Sequence, residues 1–97
     1  MKFEILGSHL CAGTLYAINR CFDENLDFSF RNLSSSLSEL KYFLSHYAND
    51  EIYKPYREMS SNPDYSTKGT IGIPCFIFED GTSTMELSEA IAKAKQE

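Results

Sequence analysis

Gly72-Ile73-Pro74-Cys75 leads directly into the apolar run Phe76-Ile77-Phe78. The continuous apolar run is suited to a central strand. A proline before a strand is either an edge device or, where its peptide bond is cis, a residue that exposes neighbouring backbone groups. Near the other end of the chain, Cys11 stands where a strand pattern gives way to a helix pattern. Helix N-termini and strand entries meet at one edge of a small βαβ sheet, so we expect Cys11 and Pro74 to share a thiol site.

The first thirty residues predict a βαβ unit. Residues 2–6 alternate apolar and charged side chains, as a half-buried strand does. A helix then begins at or next to Cys11, with an apolar face predicted at Leu15, Ile18 and Phe22. Alternation over residues 26–31 predicts a second strand, which a right-handed crossover would place parallel to the first.

The pattern of the rest of the chain predicts a helix, then two strands, and then a last helix. Ser36 and Glu39 fit a capping box, opening a helix that ends near Asn49 and presents Leu37, Leu40, Leu44 and Tyr47. Residues 50–70 are irregular and predict a short helix flanked by loop. Residues 75–78 predict a central strand, and Asp80-Gly81 predicts a turn into an antiparallel strand over 82–85. The last helix has an apolar stripe, Leu87, Ala90, Ile91 and Ala94, closed by Lys93 and Lys95.

Length and composition limit the function classes. A chain of 97 residues with 42% apolar residues predicts a single domain over residues 1–97. A formal charge of −5 with scattered Lys and Arg argues against nucleic acid and anionic membranes as partners. No apolar run approaches the roughly 20 residues of a membrane span. The three cysteines are odd in number and irregularly spaced, which predicts free thiols and a cytoplasmic location.

The order βαβ, α, ββ, α with these two motifs resembles the thioredoxin fold, and within it the glutaredoxins. The resemblance covers nearly the whole chain and is most specific at 71–76 and 79–82. It implies an α/β fold of glutaredoxin type with a four-stranded mixed sheet flanked by helices. By position, Cys11 matches the nucleophilic cysteine and Thr14 the place of the resolving cysteine. Pro74 matches the cis-proline, and Ile73 the residue whose backbone pairs with a bound thiol.

Two further residues allow alternatives. His9 is either a substrate-side group that stabilises a thiolate as a cation or a solvated loop histidine. Cys75 is either a resolving partner for Cys11 or an inert core thiol. Cys21 lies roughly 15 Å beyond Cys11 along the helix axis, which excludes a bridge within one chain and favours a packing role.

The resemblance implies a thiol–disulfide oxidoreductase that acts through Cys11 and forms mixed disulfides with glutathione or protein thiols. Glutathione would be a co-substrate, and no metal or other cofactor is predicted, since His9 with Cys11 is only two ligands. The sequence leaves the oligomeric state open.

Rival interpretations follow from departures from the family pattern. The second cysteine, the preceding lysine and the Gly-Gly pair after the fourth strand are missing, which favours a redox-inert module that binds a peptide or subunit beside Pro74. A shared iron–sulfur cluster would use Cys11 with glutathione, and an arsenate-reductase-like enzyme would need arginines near Cys11. The tyrosines between Tyr42 and Tyr65 form either a partner surface or a packed cluster.

Overall fold

A computed structural model describes residues 1–60 and 70–96 of the chain. In chain order its elements are β1 Phe3–Gly7, α1 Ala12–Asp23, β2 Phe28–Asn32, α2 Leu37–Asn49, a 3-10 turn Glu51–Tyr53, α3 Lys54–Met59, β3 Cys75–Phe78, β4 Ser83–Thr84 and α4 Leu87–Ala94.

The four strands form one mixed sheet in the order β2-β1-β3-β4. β1 runs parallel to β2 and antiparallel to β3, and β4 runs antiparallel to β3. The described part of the chain is therefore α/β, with a four-stranded mixed sheet and four α-helices. The predicted parallel first pair and antiparallel last pair are both confirmed.

Alternation along the central strands buries side chains on both faces of the sheet. One face carries Phe3, Ile5, Phe76 and Phe78, which pack with the buried residues of α1 and α4. The opposite face carries Leu6 and Cys75, which are paired in register and pack under Phe43 and Tyr53.

Helix α1 does not bury the face on which its large apolar residues lie, which was the face predicted to pack on the sheet. Phe22 is 75% exposed and Leu15 44% exposed, whereas the buried residues are Thr14, Ala17 and Cys21. Small residues allow α1 to lie close to β1: a Cβ on Gly7 would come within 2.5 Å of the Thr14 Oγ1. Close approach therefore decided the helix orientation, and the prediction for Leu15 and Phe22 was wrong.

Helix α2 begins and ends where predicted, but its cap is only half of the predicted box. The Ser36 hydroxyl accepts the Glu39 backbone N–H at 3.2 Å, and the Glu39 carboxylate binds Arg31 at 2.8 Å instead of returning to Ser36. The buried residue of α2 is Phe43, while Leu37 and Leu44 are exposed. The ion pair with Arg31 explains why the carboxylate turns toward the sheet.

The remaining boundaries differ from the prediction by one or two residues. β2 begins at Phe28 instead of 26, and β4 covers only Ser83–Thr84. The turn before β4 is confirmed, with Gly81 at φ +89° and the Phe78 N–H donating to the Thr82 carbonyl at 2.8 Å. The short helix predicted within 50–70 is α3, and residues 61–69 of that segment lie outside the described residues.

Four of the tyrosines are packed. Tyr42, Tyr47, Tyr53 and Tyr56 lie in or against the cluster on the α2 face, with ring centroids 5.5 Å apart for Tyr47 and Tyr53. The packed-cluster alternative is confirmed for these four, and Tyr65 lies outside the described residues. Among residues 1–60 and 70–96, no helix is both long enough and apolar enough to cross a bilayer.

Candidate thiol site

Cys11 is the residue that caps the N-terminus of α1. Its backbone is extended, with φ −104° and ψ 118°, and its carbonyl accepts the first intrahelical bond from the Leu15 N–H at 3.1 Å. Its own N–H donates to the Ser8 carbonyl at 3.0 Å, which closes a tight turn after β1. The free N–H groups of the first helical turn therefore begin immediately beside a partly exposed sulfur.

Thr14 lies beneath Cys11 and is completely buried. Its Oγ1 accepts the Ser8 backbone N–H at 3.4 Å. Because one lone pair is used in this way, the hydroxyl proton can be donated to the Cys11 sulfur. The contact with Gly7 described above holds the Thr14 side chain in place, so the donor is fixed by the packing of α1 on β1.

These contacts lower the pKa of the Cys11 thiol. The main cause is the hydrogen bond from the Thr14 hydroxyl, and the backbone N–H groups of Thr14 and Gly13 add to it, while partial burial acts in the opposite direction. Each donor stabilises the thiolate over the thiol, as expected at a helix N-terminus. The thiolate is the form of cysteine that attacks disulfides.

The loop before β3 brings Pro74 beside this sulfur. The bond between Ile73 and Pro74 is cis, as the resemblance implied. A Cβ on Gly13 would lie 3.6 Å from the Pro74 Cδ and 3.8 Å from the Cys11 Sγ. The Cys11 sulfur and the Pro74 ring thus both lie beside Gly13, so the two segments approach each other as predicted. Ile73 is half-buried and packs against the α2-face cluster.

Tyr53 supports this loop from below, and nothing in the sequence indicated it. Its buried hydroxyl donates to the Gly72 carbonyl at 2.9 Å. Gly72 has φ +79°, and a Cβ there would lie 2.7 Å from Tyr53 Cε1 and 3.0 Å from the Met85 methyl. A buried tyrosine in an irregular segment has no periodicity that would reveal its partner, so only the fold shows that it positions the Ile73–Pro74 bond.

Cys75 points away from α1. It is fully buried on the opposite face, beside Leu6 and Tyr53. Burial is the main cause that raises the pKa of its thiol to about 11, with the Tyr53 hydroxyl acting in the opposite direction. All three cysteines are unbridged. These observations favour the inert core thiol over the resolving partner. Cys21 is also buried, and burial raises its pKa, in agreement with a packing role.

His9 is bound to Asn32. The Asn32 Oδ1 accepts the backbone N–H groups of His9 at 3.3 Å and Ser34 at 3.1 Å. Its Nδ2 therefore faces the His9 Nδ1, at 2.9 Å, and donates to it. In this arrangement the His9 Nδ1 is the acceptor. The ring thus has a loop partner, which favours the solvated loop interpretation.

The alternative chemistries find no support in these contacts. The arginines have other partners: Arg31 pairs with Glu4 and Glu39, Arg57 donates to the carbonyls of Tyr47 and Asp50, and Arg20 hydrogen-bonds Tyr16. An oxyanion at Cys11 would need at least one of them. Within residues 1–60 and 70–96, no group of three or more His, Cys, Asp or Glu side chains is arranged to hold a metal ion.

Comparison with known proteins leaves the site to be interpreted from its own geometry. No family model, no curated protein and no solved structure matches the chain. The arrangement of Cys11, Thr14 and Pro74 is therefore the basis for the functional proposal.

Replacement of Thr14 tests the cause of the lowered pKa. Thr14→Val keeps the shape of the side chain and removes the hydroxyl, so we expect the pKa of Cys11 to rise. It also leaves the Ser8 N–H without an acceptor, at a cost of about 1–3 kcal/mol in unfolding free energy. Thr14→Ser retains the hydroxyl and is the matched control. Alkylation rates across pH measure the pKa of Cys11 in both variants. A titration of Cys11 in Thr14→Val identical to that in the unmodified chain would contradict the role given to the Thr14 hydroxyl.

Proposed function

We propose that this chain has a thioredoxin-like, glutaredoxin-type fold and acts as a thiol–disulfide oxidoreductase through Cys11. The observation that carries the proposal is the sulfur at the start of α1, with the Thr14 hydroxyl beneath it and the cis Ile73–Pro74 bond beside it. The sheet order β2-β1-β3-β4 supports the fold assignment.

The reaction follows from the donors around the sulfur. The Cys11 thiolate attacks one sulfur of a disulfide, the S–S bond breaks, and the other half leaves as a thiolate that takes up a proton. A mixed disulfide on Cys11 is formed with no net oxidation or reduction. The donors from Thr14 and Gly13 hold the attacking anion, and the substrate half lies along the backbone of Ile73 beside Pro74.

Turnover needs a thiol from outside the chain. Thr14 has no sulfur, and Cys75 is buried on the far face of the sheet. A second thiol, from glutathione or from a protein cysteine, attacks the mixed disulfide, regenerates Cys11 and leaves as the oxidised product. Such chemistry fits a reducing compartment, and we assign the protein to the cytoplasm on this ground.

The experiment that tests the proposal is trapping of the mixed disulfide. After incubation with glutathione disulfide, intact mass and peptide mapping are expected to show one glutathione on Cys11 and none on Cys21 or Cys75, because the latter two thiols are buried with raised pKa values. Dithiothreitol should remove the adduct. An absence of adduct at Cys11 after prolonged incubation at pH 8 would contradict the proposal.

One observation favours a second candidate, a redox-inert module that binds an apolar segment in the same groove. Leu10 is 78% exposed directly before Cys11, and Ile71 is 38% exposed just before the Gly72–Pro74 loop. Exposed aliphatic side chains near the sulfur are suited to an apolar peptide. The trapping experiment separates the candidates, since binding without exchange leaves Cys11 unmodified.

A further inference from the structure

Two polar side chains are buried in the described part of the chain, and both lie at the turn that carries Cys11. Among residues 1–60 and 70–96 these are Ser8, which is 5% exposed, and Thr14, which is completely buried. A buried polar group costs free energy unless its hydrogen bonds are formed. Thr14 acts on the Cys11 sulfur directly, and the contacts of Ser8 lead to the same sulfur.

The Ser8 hydroxyl is held on two sides. Its oxygen accepts the Leu10 backbone N–H at 3.1 Å, within the turn between β1 and α1. It also lies 2.6 Å from the hydroxyl oxygen of Ser34, in the loop that follows β2. The Ser8 side chain is thus bound both to its own turn and to a neighbouring segment of the fold.

Ser34 is itself held by the last residue of β2. The Asn32 Oδ1 accepts the backbone N–H groups of Ser34, at 3.1 Å, and of His9, at 3.3 Å. One side-chain oxygen therefore binds the loop after β2 and the turn before α1 together. The two strands are paired at this end, with Gly7 opposite Asn32. The pairing of β1 with β2 thus brings the Ser34 hydroxyl to Ser8.

The backbone of Ser8 connects its side chain to the sulfur. The Ser8 N–H donates to the Thr14 Oγ1 at 3.4 Å, and the Ser8 carbonyl accepts the Cys11 N–H at 3.0 Å. Any residue other than proline would supply these two groups, but the hydrogen bonds of the Ser8 hydroxyl fix where they point. A Thr14 oxygen that accepts the Ser8 N–H keeps its proton for the Cys11 sulfur. Without that orientation, the Thr14 hydroxyl proton could turn away from the sulfur.

We propose that Ser8 is a positioning residue for the Cys11 thiolate and that the hydroxyl of Ser34 holds Ser8 in position. This role rests on the function proposed for Cys11 as a nucleophile. Hydrogen bonds that form one network support one another, so removal of a link at Ser34 is felt at the sulfur. The loop after β2 therefore belongs to the site, together with the start of α1 and the Ile73–Pro74 segment.

The pH dependence of Cys11 alkylation by iodoacetamide tests this role. Ser8→Ala and Ser34→Ala each remove one hydroxyl of the pair, and each should move the titration of Cys11 to higher pH and slow alkylation at pH 7 by about threefold. Ser34 is exposed, so Ser34→Ala is expected to retain the fold, which circular dichroism checks. Ser35→Ala is the matched control, because the Ser35 hydroxyl donates to the Asn32 carbonyl. It should titrate like the unmodified chain.

The double variant Ser8→Ala/Ser34→Ala tests whether the two hydroxyls act through one hydrogen bond. If they do, the double variant should titrate like Ser8→Ala alone. Additive shifts would overturn the proposed link, as would an unchanged titration in either single variant or an equal shift in Ser35→Ala. If Ser8→Ala does not fold, the titration of Ser34→Ala decides by itself.

Alkylation needs no disulfide substrate, so failure of the positioning role is distinguishable from failure of the proposed function. If the unmodified chain forms no glutathione adduct, the oxidoreductase function fails, while a shifted titration in Ser34→Ala still supports the role of Ser8. If the adduct forms and all the serine variants titrate like the unmodified chain, only the role of Ser8 fails.

Discussion

Cys11→Ser is expected to reduce glutathione-dependent turnover of hydroxyethyl disulfide to the uncatalysed rate. The sulfur is the only group at the site that can form a disulfide, and a serine hydroxyl does not ionise in the neutral range. The donors from Thr14 and Gly13 remain but have no nucleophile to stabilise. The coupled consumption of NADPH through glutathione reductase measures the rate.

Two matched variants control for general effects of cysteine replacement. Cys21→Ala and Cys75→Ala remove buried thiols from opposite faces of the sheet and should lower the free energy of unfolding by about 1 kcal/mol, with turnover retained. Equal turnover by Cys11→Ser and the unmodified chain would contradict the proposed nucleophile. Loss of turnover in Cys75→Ala without unfolding would instead restore Cys75 as a resolving partner.

Gly72→Ala is expected to lower the free energy of unfolding by about 3 kcal/mol or more, because it combines backbone strain with overpacking. The residue has φ +79°, and its new methyl group would lie 2.7 Å from a carbon of the buried Tyr53 ring. Relief of that clash requires movement of the loop that presents Pro74. We therefore also expect slower exchange at Cys11. Urea unfolding and the turnover assay measure the two effects.

Gly81→Ala separates the effect of backbone strain from the effect of overpacking. Gly81 has φ +89°, but no atom of residues 1–60 or 70–96 lies within 4 Å of a Cβ at that position. It therefore has only the backbone strain, about 1–2 kcal/mol, and should retain full turnover. If the two variants lost equal stability, contact between Gly72 and Tyr53 would not be the reason for glycine at position 72.

Several boundaries of helices and strands were predictable because the residues that specify them are neighbours in the sequence. The capping residue Ser36, the Asp80-Gly81 turn and the apolar run into β3 each specify a boundary through neighbouring residues, and all three lie where expected. The orientation of α1 was not predictable in this way. The contact between Gly7 and Thr14 lets a face of small residues approach the sheet, and a pattern of large apolar residues does not reveal such a contact.

The sequence predicted the two residues that meet at the site, Cys11 and Pro74, but not the residues that hold them in place. Cys11 and Pro74 are visible in the sequence because a helix start and a strand entry have recognisable neighbours. Tyr53 acts through a hydrogen bond to Gly72 across nineteen positions of sequence, and Ser8 acts through a backbone N–H that any residue other than proline would supply. A role that depends on a backbone group, or on packing against a residue far away in the sequence, produces no recognisable sequence pattern.

The pH dependence of Cys11 alkylation by iodoacetamide, followed by peptide mapping, shows whether the thiol at the start of α1 is activated. We expect a single titration for Cys11 with a pKa below the ~8.5 of an unperturbed cysteine, while Cys21 and Cys75 stay unreactive in the folded chain because they are buried. A pKa of Cys11 at or above that reference value would contradict an activated thiol at the start of α1.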